Sequence, residues 1–113
     1  MEGCIFCKIA SGNIPSTMVY QDDEIIAFRD IHPKAPVHVL IIPRKHVATV
    51  ADLTEADADL MGKMVVVADK ISKQEGLPER GYRLVINYGP DSGMVVRHLH
   101  LHLLGGRRLT DMG

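Results

Sequence analysis

The chain predicts an α+β fold: a five-stranded antiparallel sheet with one long helix packed on it and a short helix at the N-terminus. Three observations predict this. Apolar residues recur at three- and four-residue spacing through "TEADADLMGKMVVVADKISKQEG", which marks an amphipathic helix. Strand-like runs fill most of the remainder, in the order short helix, three strands, long helix, two strands. The first two strands are separated only by an Asp22-Asp23 turn, and a tight turn makes its strands antiparallel.

Each element has a local reason. Ile5, Phe6 and Ile9 sit at helical spacing within residues 4–10, and Gly12 follows as a stop. "MVYQDDEIIAFRD" reads as the hairpin. "APVHVLIIP" is a β-branched, apolar run bounded by Pro36 and Pro43, so it predicts a third, buried strand. Thr54 is positioned as the N-cap of the long helix, with Glu55 and Asp57 in its first turn. Leu60, Met64, Val67 and Ile71 form the core face, and Gly76 and Pro78 end the helix. Val65 and Val66 leave a second apolar side, which predicts a homodimer. "YRLVINYG" predicts a fourth strand, "GPDSG" a loop and "HLHLHLLGG" a fifth strand.

The 113 residues suit one domain spanning residues 1–113. With 46% apolar and 24% charged residues and no Trp, the chain reads as globular with an aliphatic core. A net charge of −1 gives no general attraction to nucleic acid or to a membrane surface. The N-terminus lacks the basic and apolar regions of a secretory leader, and no segment approaches the length of a bilayer span. A cytoplasmic protein is expected. In that setting Cys4-x-x-Cys7 reads as half of a metal site or a redox pair, with two ordinary helix cysteines as the plain alternative.

The chemistry concentrates in "RHLHLHLLGG". In a strand, alternate side chains share a face, so His98, His100 and His102 line one side at roughly 6.6–6.8 Å intervals while Leu99, Leu101 and Leu103 enter the core. Each imidazole needs partners for two nitrogens, and packing alone gains little from three such rings. They can hold a metal or perform nucleophilic and acid–base work. A His-x-His pair can chelate, but a third ligand from the same flat strand is awkward. Two Cys joined by two of the six histidines would make a closed, structural zinc site. The residue types alone leave these readings open.

"HLHLHLL" matches the alternating histidine pattern of the histidine triad superfamily. "IFCKIASGNIPS", "VYQDDEIIAFRDIHPKAPVHVLIIPRKH", "GYRLVIN" and "HLHLHLLGGR" resemble its HINT-like branch of nucleotide-binding phosphoramidate hydrolases. The resemblance implies a homodimer with joined sheets, a purine nucleoside monophosphate or its conjugate as ligand, and hydrolysis through a nucleotidyl-histidine. It implies His100 as nucleophile, and His38 and His102 as phosphate contacts that help move the proton. It implies Asp30 on the ribose, an apolar base slot of Ile5, Phe6, Ile9, Phe28 and Ile31, and Asn87 and the Gly93 loop near the phosphate. Some members hold structural zinc at positions that correspond to Cys4, Cys7, His46 and His98.

The loop before the triad departs from that pattern. It reads Gly93-Met94-Val95 where relatives carry Gln and then Ser or Glu. That places an apolar side chain where a polar one would meet the leaving group. Three other readings stand beside the hydrolase: a purine nucleotide-binding regulatory module, a dinucleoside polyphosphate hydrolase and a zinc-dependent hydrolase. His32, Lys34, Arg44, Lys45, Arg107 and Arg108 read as solvated surface groups.

Overall fold

The structure is a computed structural model that describes residues 3–113, so Met1 and Glu2, within the 1–113 span of the sequence reading, lie outside the described residues. Helix α1 (Ile5–Ala10) is followed by strands β1 (Met18–Gln21), β2 (Ile25–Arg29) and β3 (Val37–Pro43), helix α2 (Ala58–Gln74), and strands β4 (Tyr82–Val85) and β5 (Leu101–Gly105). The strands form one five-stranded sheet in the order β1-β2-β3-β5-β4, with every neighbouring pair antiparallel. This is the predicted α+β fold.

Strands β2 and β3 are buried on both faces, which is why their sequences run apolar without alternation. On one face, Ile25, Ala27, Val39, Ile41, Leu101 and Leu103 pack against Leu60, Met64, Val67 and Ile71 of α2. On the other, Ile26, Phe28, Leu40 and Ile42 pack against Phe6 and Ile9 of the short α1, with partly buried Cys4, Ala10, Ile14 and Val96 at the margin. The second face is therefore left partly open, and the histidines lie on it.

Three boundaries differ from the sequence reading. Residues 55–57 form a 3-10 turn, so the α-helix begins at Ala58. There the Asp57 carboxylate accepts from the Thr54 N–H at 3.0 Å, competing for the first turn. The fourth strand ends at Val85. The fifth begins at Leu101, leaving His98 and His100 ahead of the β3 ladder. The cause is Pro43, where β3 ends: His98 Nε2 donates to its carbonyl at 2.8 Å, while Leu99 N–H bonds onward to Val47 O at 2.6 Å. The alternation survives this departure, because Leu99 still enters the α2 layer.

The end of α2 explains the Gly-Gly pair after the triad. Gly76 takes φ +74°, and Leu77 N–H returns to Ser72 O at 2.9 Å, closing the helix with a left-handed turn. That turn drives Leu77 against β5, where a Cβ on Gly105 would lie 2.8 Å from Leu77 Cδ1. Gly106 has φ +93° and would place a Cβ 2.9 Å from Pro36 Cβ. Gly106→Ala therefore combines backbone strain with a clash. Thermal unfolding should show a loss of about 1–3 kcal/mol.

Candidate active site and metal centre

A cleft of about 400 Å³ opens between α1, the end of β2 and the connection from β4 to β5. Ile5, Phe6 and Ile9 of α1, Phe28, Asp30 and Ile31 at the end of β2, and Asn87 and Gly93 of the connection all line it, together with His100 and His102. Every residue of the expected base slot, ribose contact and phosphate loop thus meets in one cavity. Phe6 stands edge-on to Phe28 at 5.4 Å between ring centroids and edge-on to His100 at 5.1 Å, so one aromatic ring joins the apolar wall to the histidines. Ile14, Pro15, Ser16 and Leu40 also line the cleft and were not expected.

Hydrogen bonds define the protonation of the imidazoles. His100 Nδ1 lies 2.7 Å from His98 O, and a carbonyl only accepts, so the proton is on Nδ1. Nε2 is then the lone-pair nitrogen. Lys34 N–H donates to His38 Nδ1 at 3.0 Å, which puts the neutral His38 proton on Nε2. His38 Nε2 is 2.9 Å from His102 Nδ1 and donates to it. His102 then carries its proton on Nε2, which is buried without a partner among the described residues. An unpartnered buried N–H costs about 1–3 kcal/mol, so a ligand oxygen or nitrogen there restores a missing bond. His38 does not line the cleft; it stands one ring behind His102, with Asp30 Oδ2 at 3.5 Å.

His102 and His38 are held neutral. Burial is the largest influence on His102 and lowers its pKa to about 4, with further repulsion from His100 and His38 and opposition from Asp30. Burial also lowers His38, with Asp30 opposing. In both, the folded state resists protonation that the unfolded chain accepts near pH 6.5. Stability is then complete above about pH 6.5 and falls as pH drops toward 4. The midpoint of urea unfolding should be markedly lower at pH 5 than at pH 7.5, and His102→Gln should flatten that dependence.

A second cluster sits beside the first. Cys4 Sγ and Cys7 Sγ lie 3.3 and 3.5 Å from His98 Nδ1, and Cys7 Sγ is 3.3 Å from His46 Nδ1. All four ligand atoms lie within 4.8 Å of one another. A tetrahedral zinc with Zn–S near 2.3 Å and Zn–N near 2.05 Å would separate S and N ligands by about 3.6 Å. The observed spacings approach that edge. His98 Nε2 donates to Pro43 O, so its Nδ1 carries the lone pair and faces both sulfurs. This is the tautomer a metal requires, with its outer nitrogen already satisfied. The residues fit zinc.

The open sheet face, the apolar cleft and the oriented imidazoles on its floor define a small α+β protein whose chemistry is carried on a histidine-rich segment. The HIT domain model matches residues 11–109, and the chain belongs to the HIT (histidine triad) family. It is 50% identical to the purine nucleoside phosphoramidase of Escherichia coli K12, over 98% of this chain and 93% of that protein. It is 48% identical to the 14 kDa zinc-binding protein of Brassica juncea, over 94% of this chain and 95% of the other. A crystal structure of a HIT family hydrolase from Legionella pneumophila superposes with a TM-score of 0.94 at 53% identity, covering 96% of each chain.

Proposed function

We propose that this single-domain protein hydrolyses purine nucleoside phosphoramidates and related 5′-monophosphate conjugates, with His100 as nucleophile. The observation that carries the reading is the oriented His100 ring: Nδ1–H is held by His98 O, leaving Nε2 unprotonated on the cleft floor. A neutral imidazole so held is a competent nucleophile near pH 7. The purine stacks in the slot of Ile5, Phe6, Ile9, Phe28 and Ile31, Asp30 accepts from the ribose hydroxyls, and Asn87 and the Gly93 loop approach the phosphate. Nε2 attacks phosphorus as the P–N bond breaks toward nitrogen. His102 Nε2–H meets the electron pair on the departing amine. Water then displaces His100, releasing the monophosphate and restoring the proton to His102. His38 orients His102 from behind. Val95, 89% exposed, presents an apolar surface at the rim.

Cys4, Cys7, His46 and His98 hold structural zinc on this reading. Such a closed shell supplies folding energy and leaves no open coordination position. The triad is then divided, with His98 given to the metal and His100 and His102 to the reaction. The nearness of the phosphoramidase and zinc-binding relatives supports both assignments.

The protein works as a homodimer with joined sheets. Strand β4 is a sheet edge, and on α2 Val65 and Val66 are 44% and 56% exposed while Val67 is buried. Val66→Glu should shift the mass measured by light scattering from dimer to monomer.

The test is AMP release from adenosine 5′-phosphoramidate against diadenosine polyphosphate cleavage. Faster phosphoramidate turnover is expected. AMP binding with no turnover of either would leave a nucleotide-binding module.

A further inference from the structure

We propose that His98 is a positioning residue that couples the metal cluster to the orientation of the nucleophile His100. The inference rests on the reading of His100 given above, but its structural part stands on separate contacts.

The peptide unit between residues 98 and 99 is the key piece. Its carbonyl accepts from His100 Nδ1 at 2.7 Å, and its N–H donates to Val47 O at 2.6 Å. Residues 97–100 lie outside the β5 ladder, so no strand pairing fixes this plane. It is held instead by the ligands on either side. Val47 directly follows His46, whose Nδ1 faces Cys7 Sγ. The His98 ring is fully buried and held at both nitrogens, by the two sulfurs and by Pro43 O. Two of the four ligands thus brace the one carbonyl that sets the tautomer of His100. The other two are the N-cap of α1, Cys4, and Cys7 within it, and Cys4, Cys7 and His46 are all partly exposed. A surface depression lined by Cys4, His46 and Arg97 opens onto them.

With the cluster closed, the 98–99 carbonyl faces His100 and Nδ1 keeps the proton. With it open, the His98 ring keeps only Pro43 O and the Val47 bond loses its brace at His46, so the 98–99 plane shifts and the His100 proton distributes between both nitrogens. The attacking nitrogen is then fractionally blocked, and its aim is lost. The purine slot and Asp30 make none of these bonds, so nucleotide affinity is far less sensitive.

The experiment uses the full chain labelled with 15N-histidine. Long-range proton–nitrogen correlations read the tautomer of His100 while zinc is withdrawn by a chelator and returned, with circular dichroism and AMP affinity followed in parallel. His46→Ser provides a second protein, with zinc weakened from the ligand farther from His100. The expected result is a His100 tautomer that follows zinc occupancy in both proteins under an unchanged dichroism spectrum. Single-turnover nucleotidyl transfer should fall about tenfold or more on zinc removal, with AMP affinity moving less than about threefold. A tautomer that stays fixed while zinc comes and goes overturns the proposal. So does unfolding in step with zinc loss in both proteins, which would make the metal a staple of the fold alone. A tautomer that follows zinc in a protein with no nucleotidyl transfer in either state upholds the coupling and removes the hydrolase reading.

Discussion

His100→Ala should lower turnover of adenosine 5′-phosphoramidate by on the order of 10³-fold or more, with AMP affinity held within about threefold. The size of the loss follows from the neighbouring rings. His102 cannot replace the nucleophile, because its Nδ1 accepts from His38 and its Nε2 carries the proton. His38 has Nδ1 engaged by the Lys34 N–H and lies behind His102. Among the described residues, the one further imidazole that lines the cleft is His32, which is exposed just beyond β2. Binding survives because the apolar slot and Asp30 are untouched. Steady-state rates and calorimetric AMP titration of the same two preparations check both halves. A His100→Ala protein with near-normal turnover would move the reaction to another group.

Cys4→Ala combined with Cys7→Ala should abolish zinc retention, from about one per chain to well under a tenth, and cost several kcal/mol of stability. Thermal unfolding should drop by roughly 10 °C or more. Two effects add. The His46–His98 pair loses its closing ligands, and α1 loses its N-terminal cap, since Cys4 Sγ accepts from the Cys7 N–H at 3.3 Å. Helix α1 carries Ile5, Phe6 and Ile9, so losing its cap as well as the metal should weaken AMP affinity in this variant, where withdrawing the metal alone leaves it nearly unchanged. Elemental analysis and calorimetric melting measure this directly. Full zinc content in the double variant would place the metal on other ligands.

Much of this architecture is legible in the sequence because its signals are local. The 3.6-residue period of α2, the Asp22-Asp23 turn and the alternation of His and Leu each mark their element without reference to the rest of the fold. Chain boundaries were less legible. The early end of β4 and the late start of β5 depend on where Pro43 ends its neighbour, which is a tertiary fact. The Gly105–Leu77 contact joins residues far apart in sequence and leaves no pattern to read. Resemblance supplied the histidine roles. The donor order from Lys34 N–H through His38 to His102 required coordinates, because a sequence does not say which nitrogen bears a proton. The same holds for His38, expected against phosphate but placed behind His102. It holds too for His98, whose carbonyl and ring serve different clusters.

The most direct test of the central claim is to trap the covalent intermediate. The protein is mixed with adenosine 5′-phosphoramidate, quenched under alkaline denaturing conditions within one turnover, and mapped by peptide mass spectrometry. Adenylate on His100, forming and decaying at rates that account for turnover, is the predicted result. Turnover with adenylate on another residue, or with none at any time within the cycle, would contradict the account.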